Sequence, residues 1–233
     1  MRRSPVSEPI PKVIAMSVST TLLRSLPIFD TLDDLRLAPI TQVAALRRAP
    51  RGSVVLREGD RTDNIYFVVN GGLKVLVSDE DGREVILSML GPGELFGELG
   101  VLDDSSRSAT VVATQNSDLV TIAKSDFQRC LMSNFDVSLF IMRGLAQRLR
   151  QADRKIESLA LMDVYGRVAR LLLDLAEDVD GHKVVTKKLT KQDIAKMIGA
   201  SREMVSRVMK DLQQQGLIDE ADGRIALGPE LDA

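Results

Sequence analysis

Two short stretches of this 233-residue chain carry side chains that can do chemistry. The first is Gly93-Glu94-Leu95-Phe96-Gly97-Glu98-Leu99-Gly100, followed nine residues after Glu98 by Arg107-Ser108-Ala109-Thr110. Its three glycines leave backbone N–H groups open to the close approach of a phosphate. Arg107 offers a planar, permanently charged fork for phosphate oxygens, and Ser108 adds a hydroxyl donor. Glu98 is an acceptor suited to a ribose 2′-OH. A Glu and an Arg at this spacing also suit an internal ion pair that closes a loop. Such a pair has no need of the glycines, so the composition favours a sugar-phosphate ligand.

The second stretch is Ser201-Arg202-Glu203-Met204-Val205-Ser206-Arg207. On a helix, Arg202, Glu203 and Arg207 fall on the side opposite Val205, Val208 and Leu212. Arg can contact guanine O6 and N7 together, and Glu can accept from cytosine N4, so the trio suits a G·C-containing half-site in the major groove. Thr190, Lys191, Gln192, Ser201 and Ser206 suit phosphate contacts, although each singly also suits a merely solvated position. The charge agrees. Eight Lys and Arg between Lys183 and Lys210 against Asp193 and Glu203 leave +6, and since the whole chain carries -2, the rest carries -8. A basic segment in an otherwise acidic protein is the footprint of phosphate-backbone binding.

The elements that must position these residues follow from periodicity. Between Thr20 and Leu46, leucines interrupted by Pro27 and Pro39 predict two or three short helices. From Gly52 to about Lys124 the pattern changes to short apolar runs: 54–56, 65–69, 73–77, 85–90, 109–113 and 119–123. Turn residues such as Asn70-Gly71 separate them, which predicts a β-barrel or roll. Next, Met142, Leu145, Leu149, Ala152, Ile156 and Leu159 form an a/d seam. It suits pairing with a second copy of the chain, the alternative being packing on the barrel. A helix over 164–176 and a loop over 177–181 lead to Thr190, which opens a helix leaving at Gly199. Ser201 opens a second helix over 202–214, and 217–218 with 225–227 around Asp222-Gly223 make a hairpin. This is a winged helix-turn-helix pattern.

Phe96-Gly-Glu-Leu-Gly-Val-Leu102 followed by Arg107-Ser-Ala-Thr110 resembles the phosphate-binding cassette of cyclic-nucleotide-binding domains. With Ser201 to Arg207, and with the order of elements, the chain from about 20 to 228 resembles the CRP/FNR superfamily of bacterial transcription regulators. The resemblance implies Glu98 on ribose, Arg107 and Ser108 on the cyclic phosphate, and Gly97 and Leu99 nearby. It also implies a palindromic DNA site with TGTGA-like half-sites and RNA polymerase as a partner. The cAMP-responsive members carry two adjacent hydroxyl residues on the dimer helix that read adenine. Here those positions are Ala152 and Asp153. Ala152 lies on the seam and suits plain packing. Asp153 is either a solvated charge beside Arg154 or an acceptor for guanine N1–H and N2–H₂. The effector is thus expected to be a cyclic nucleotide, with cGMP or cyclic di-GMP set against cAMP.

Composition excludes other classes. One Cys (Cys130) and one His (His182) argue against a metal centre and for a reducing, cytoplasmic compartment. No Ser/Cys–His constellation or phosphate-binding Walker loop points to an enzyme, and no apolar run is long enough for a membrane span. The expected fold class is α+β: a tail over 1–19, with Met1 or Met16 as start; a cyclic-nucleotide-binding β-roll (jelly roll) over 20–135; a long dimerisation helix over 136–161; and a winged helix-turn-helix over 162–233. The expected function is a homodimeric, ligand-responsive, DNA-binding transcription regulator with no cofactor. The alternative is a constitutive DNA-binding dimer whose barrel no longer takes a ligand.

Overall fold

The computed structural model describes residues 18–221 and 223–231. The expected tail therefore lies outside the described residues except for Val18, which is buried, and Ser19, which caps the first helix. The chain divides into two compact units, 1–146 and 147–233.

The first unit opens with α1 (Thr20–Arg24) and α2 (Asp34–Val43). Pro39 does not break α2. The carbonyl it deprives of a donor belongs to Leu35, whose 86% exposure leaves that group to water. Eight strands follow: β1 (Ala44–Ala49), β2 (Val54–Leu56), β3 (Asn64–Asn70), β4 (Leu73–Ser78), β5 (Glu84–Leu90), β6 (Leu95–Phe96), β7 (Thr110–Ala113) and β8 (Ser117–Ala123), with the short helix α3 (Leu99–Leu102) between β6 and β7. They form two antiparallel four-stranded sheets, β1-β8-β3-β6 and β2-β7-β4-β5. Alternation along β3 explains how two cores form. Tyr66 and Val68 join Leu56, Phe96, Val111 and Leu119 in one core. Ile65 and Phe67 join Leu23, Phe29, Leu37 and Phe127 in the other, beneath the helices.

Two strands depart from the sequence expectation. β1 begins at Ala44, where the pattern reads as helix, because Ala, Leu and Arg are good helix formers. Its pairing with β8 from Ala44↔Ile122 to Ala49↔Ser117 overrides that preference. β6 spans only two residues, too few for a periodic signal.

α4 (Lys124–Ser133) and α5 (Phe135–Leu161) close the roll, the boundary between the units falling within α5. Val137 and Ile141 are buried in the first unit's core and Leu145 packs against it. Leu145 thus serves the roll, whereas Met142, Leu149, Ile156 and Leu159 stay 51–65% exposed in the single chain.

The second unit holds α6 (Val164–Leu175), β9 (Glu177–Val179), β10 (His182–Val185), α7 (Lys191–Ile198), α8 (Arg202–Gln214), β11 (Ile218–Ala221) and β12 (Arg224–Leu227). Residues 177–185 form a hairpin in place of the expected loop, so His182 lies in a strand rather than a hinge. Glu177 and Asp178 are types depleted in strands, and the pairing of β10 with β12 recruits them. α6, α7 and α8 bury Val168, Leu172, Ile194, Ile198, Val205, Met209 and Leu212 in one core. The four strands order β11-β12-β10-β9. Asp222, expected in the turn between β11 and β12, lies outside the described residues.

No described helix is long and apolar enough to cross a membrane. Among the described residues no group of three or more His, Cys, Asp or Glu is placed to hold a metal ion.

Candidate functional site

In the first unit, Gly97, Glu98, Leu99, Arg107 and Ser108 come together around α3. Gly97 has φ +78°, and a Cβ there would lie 2.7 Å from Arg107 Nη1. Gly100 packs so closely that a Cβ would fall 2.4 Å from the Ser105 carbonyl oxygen. Both positions exclude a side chain, and for different reasons: the first needs a left-handed backbone, the second needs space.

Glu98 and Arg107 are 2% and 6% exposed, an unusual burial for charged residues. Arg107 Nη1 donates to the Gly97 carbonyl at 2.7 Å and Nη2 to the Asn64 carbonyl at 2.6 Å. Its backbone is tied as firmly, with N–H to Asp60 O at 2.8 Å and C=O accepting from Gly59 N at 2.9 Å. Burial lowers the guanidinium's pKa, and neighbouring Tyr66, Asp63, Glu98 and Asp60 oppose that shift. Glu98 occupies the N-cap of α3 without a side-chain capping bond. Leu99 and Ser108 are exposed. The first amides of α3 have no intrahelical acceptor by construction. The arrangement sets a fixed cation, a buried carboxylate and open backbone donors within one loop, the donor and acceptor set of an anionic sugar.

Two side chains that sequence reasoning missed hold this loop from α4. Lys124 Nζ donates to Gly100 O at 3.2 Å and pairs with Asp104 at 2.6 Å. Gln128 donates to Val101 O at 3.0 Å. No local motif marks them, because their partners lie more than twenty residues away. An open cleft of about 680 Å³ lies beside Asp104, Lys124 and Gln128 but shares no residue with the five above. Its charges are spent internally, in Lys124–Asp104 and in Arg61–Asp63 at 3.0 Å. The glycine loop is therefore the better candidate.

In the second unit, α7 begins with a complete capping box: Thr190 Oγ1 accepts from Asp193 N at 3.0 Å and Asp193 Oδ2 accepts from Thr190 N at 3.2 Å. It ends at Gly199. Arg167 on α6 donates to Ile198 O at 2.8 Å and so holds the end of α7. Ser201 caps α8 through Met204 N at 3.2 Å. With Val205, Met209 and Leu212 buried, Arg202, Glu203 and Arg207 are exposed, as are Thr190, Gln192 and Ser201, while Lys191 and Ser206 are half-buried. Lys191 lies 3.9 Å from Glu220 on β11. Ala152 and Asp153 stand exposed on α5.

Comparison with known proteins supplies relatives for both units. Residues 46–134 match a family described as cyclic nucleotide-binding domain, and 166–228 match the Crp-like helix-turn-helix domain. The chain is 37% identical over 182 residues to the cAMP-activated global transcriptional regulator Vfr of Pseudomonas aeruginosa, covering 74% of this chain and 84% of Vfr. It is 35% identical over 180 residues to the cAMP-activated global transcriptional regulator CRP of Pasteurella multocida, covering 74% and 85% respectively. Among solved structures, the c-di-GMP responsive global regulator CLP of Xanthomonas campestris is similar, with a TM-score of 0.69 and 28% identity over 84% of this chain and 99% of CLP.

Proposed function

Since the chain belongs to the CRP/FNR family of transcription regulators, we propose that it is a homodimer that binds a cyclic nucleotide in its N-terminal roll and reads a palindromic DNA site through α8. The observation that carries this reading is the burial of Glu98 and Arg107 in a loop where two glycines leave no room for side chains. A structural ion pair would not require that loop. Glu98 accepts from the ribose, while Arg107, Ser108 and the amides around Gly97 and Leu99 hold the cyclic phosphate.

The exposed seam of α5, Met142, Leu149, Ile156 and Leu159, pairs with its copy. Asp153 accepts from a guanine base, where a hydroxyl would serve adenine, with Ala152 packing beside it. The named relatives divide on this point, Vfr being cAMP-activated and CLP c-di-GMP responsive. Arg202, Glu203 and Arg207 read TGTGA-like half-sites about one helical turn apart, roughly 34–36 Å. Thr190, Lys191, Gln192, Ser201 and Ser206 position the helix on phosphates. The regulator acts in the cytoplasm, with RNA polymerase as partner, and performs no catalysis of its own.

Calorimetric titration with cAMP, cGMP and cyclic di-GMP tests the effector. Binding of a guanine nucleotide supports the assignment of Asp153, and tight binding of cAMP alone sinks it. No binding of any of the three would leave the roll as a structural module on a constitutive DNA-binding dimer.

A further inference from the structure

One side chain on the outward surface of α8 is not explained by charge. Met204 is 44% exposed in the helix's first turn, and among the described residues beyond Met162 it is the only large apolar side chain exposed to that degree. Its amide is fixed by the Ser201 cap. The buried stripe of α8 is Val205, Met209 and Leu212. At about 100° per residue, Met204 stands roughly 75° from the axis opposite that stripe, nearer to it than Arg202 does. It therefore shares a surface with Glu203 and Arg207.

An apolar side chain among groups that match polar base edges has one apolar counterpart in the major groove, the C5 methyl of thymine. The unbranched thioether has the reach and adaptability to pack on it. We infer that Met204 is a specificity-determining residue that packs against the C5 methyl of one thymine in each half-site, beside the G·C pairs read by Arg202, Glu203 and Arg207. The inference rests on the reading of α8 as the DNA-recognition helix.

The test uses the full-length chain, with and without cAMP, cGMP and cyclic di-GMP, to select its preferred duplexes from a random pool. Each thymine of the selected site is then replaced by uracil, which removes only the methyl group. One replacement per half-site should weaken wild-type binding roughly fourfold, the factor expected for one methyl-sized apolar contact. Met204→Ala should weaken binding to the thymine duplex by a similar factor and bind the uracil duplex equally well, with an unchanged thermal midpoint. Met204→Leu should retain the preference. Wild-type indifference to uracil at every position, a selected site without thymine, or a uracil penalty that persists in Met204→Ala overturns the inference. If no sequence is enriched at all, the recognition-helix reading fails and takes the inference with it. Enrichment followed by indifference to uracil defeats the inference alone.

Discussion

The glycine loop and the recognition helix use the same residue types in opposite ways. At the loop, Glu98 and Arg107 are buried, and both terminal nitrogens of Arg107 are tied to backbone carbonyls. On α8, Arg202, Glu203 and Arg207 are exposed, and the helix's stability comes from its cap and its apolar face. A small ligand can be enclosed, so its site can be built into the core and held rigid before the ligand arrives. A duplex cannot be enclosed, so its reading groups must stand outside the core. The difference separates folding from recognition on α8 and fuses them at the loop.

The largest test of that contrast is Arg107→Ala. It leaves the Gly97 and Asn64 carbonyls without their donor, which should cost about 2–4 kcal/mol of stability. Cyclic-nucleotide binding should be lost with it. Thermal denaturation and calorimetry check both, and an unchanged midpoint would break the contrast. Gly97→Ala forces a side chain into a left-handed backbone against Arg107 and should destabilise the roll by roughly 1–3 kcal/mol, read from the same melting curve.

On the other side, Arg207→Ala should weaken specific DNA binding by about 1–3 kcal/mol and relax base preference, with no shift of the melting midpoint. Equal losses on specific and random duplexes would deny it a base-reading role. Thr190→Ala removes half of the capping box and should cost about 1 kcal/mol of stability in denaturant titration. The smallest effect concerns Cys130, which burial pushes up from 9.0 to about 11. The folded state holds its proton more tightly than the unfolded state does. Its contribution to stability is therefore intact below pH 9.0 and is lost as pH rises through about 11. Cys130→Ala should flatten that portion of the stability–pH curve.

Much of this was legible before the structure. Six strands, α5 through α8 and the caps at Thr190 and Ser201 follow from periodicity and from residues whose chemistry is local. β1, the hairpin over 177–185 and the continuation of α2 through Pro39 were not legible, because each depends on a neighbour distant in sequence or on access to water. The same limit applies at the site. The glycines and Arg107 announce a phosphate loop, but Asn64 as acceptor and Lys124 and Gln128 as supports arise only when separate strands and helices meet. Met204 had a readable signal in the helical wheel, since it falls off the apolar stripe.

The central claim is that a nucleotide in the buried loop governs DNA binding by the exposed helix. Fluorescence anisotropy of the full-length protein on its selected duplex, with and without cAMP, cGMP or cyclic di-GMP, tests it directly. The account predicts that one of these nucleotides changes the duplex affinity by on the order of tenfold, and that Arg107→Ala abolishes the change. Identical affinity in all four conditions would contradict it.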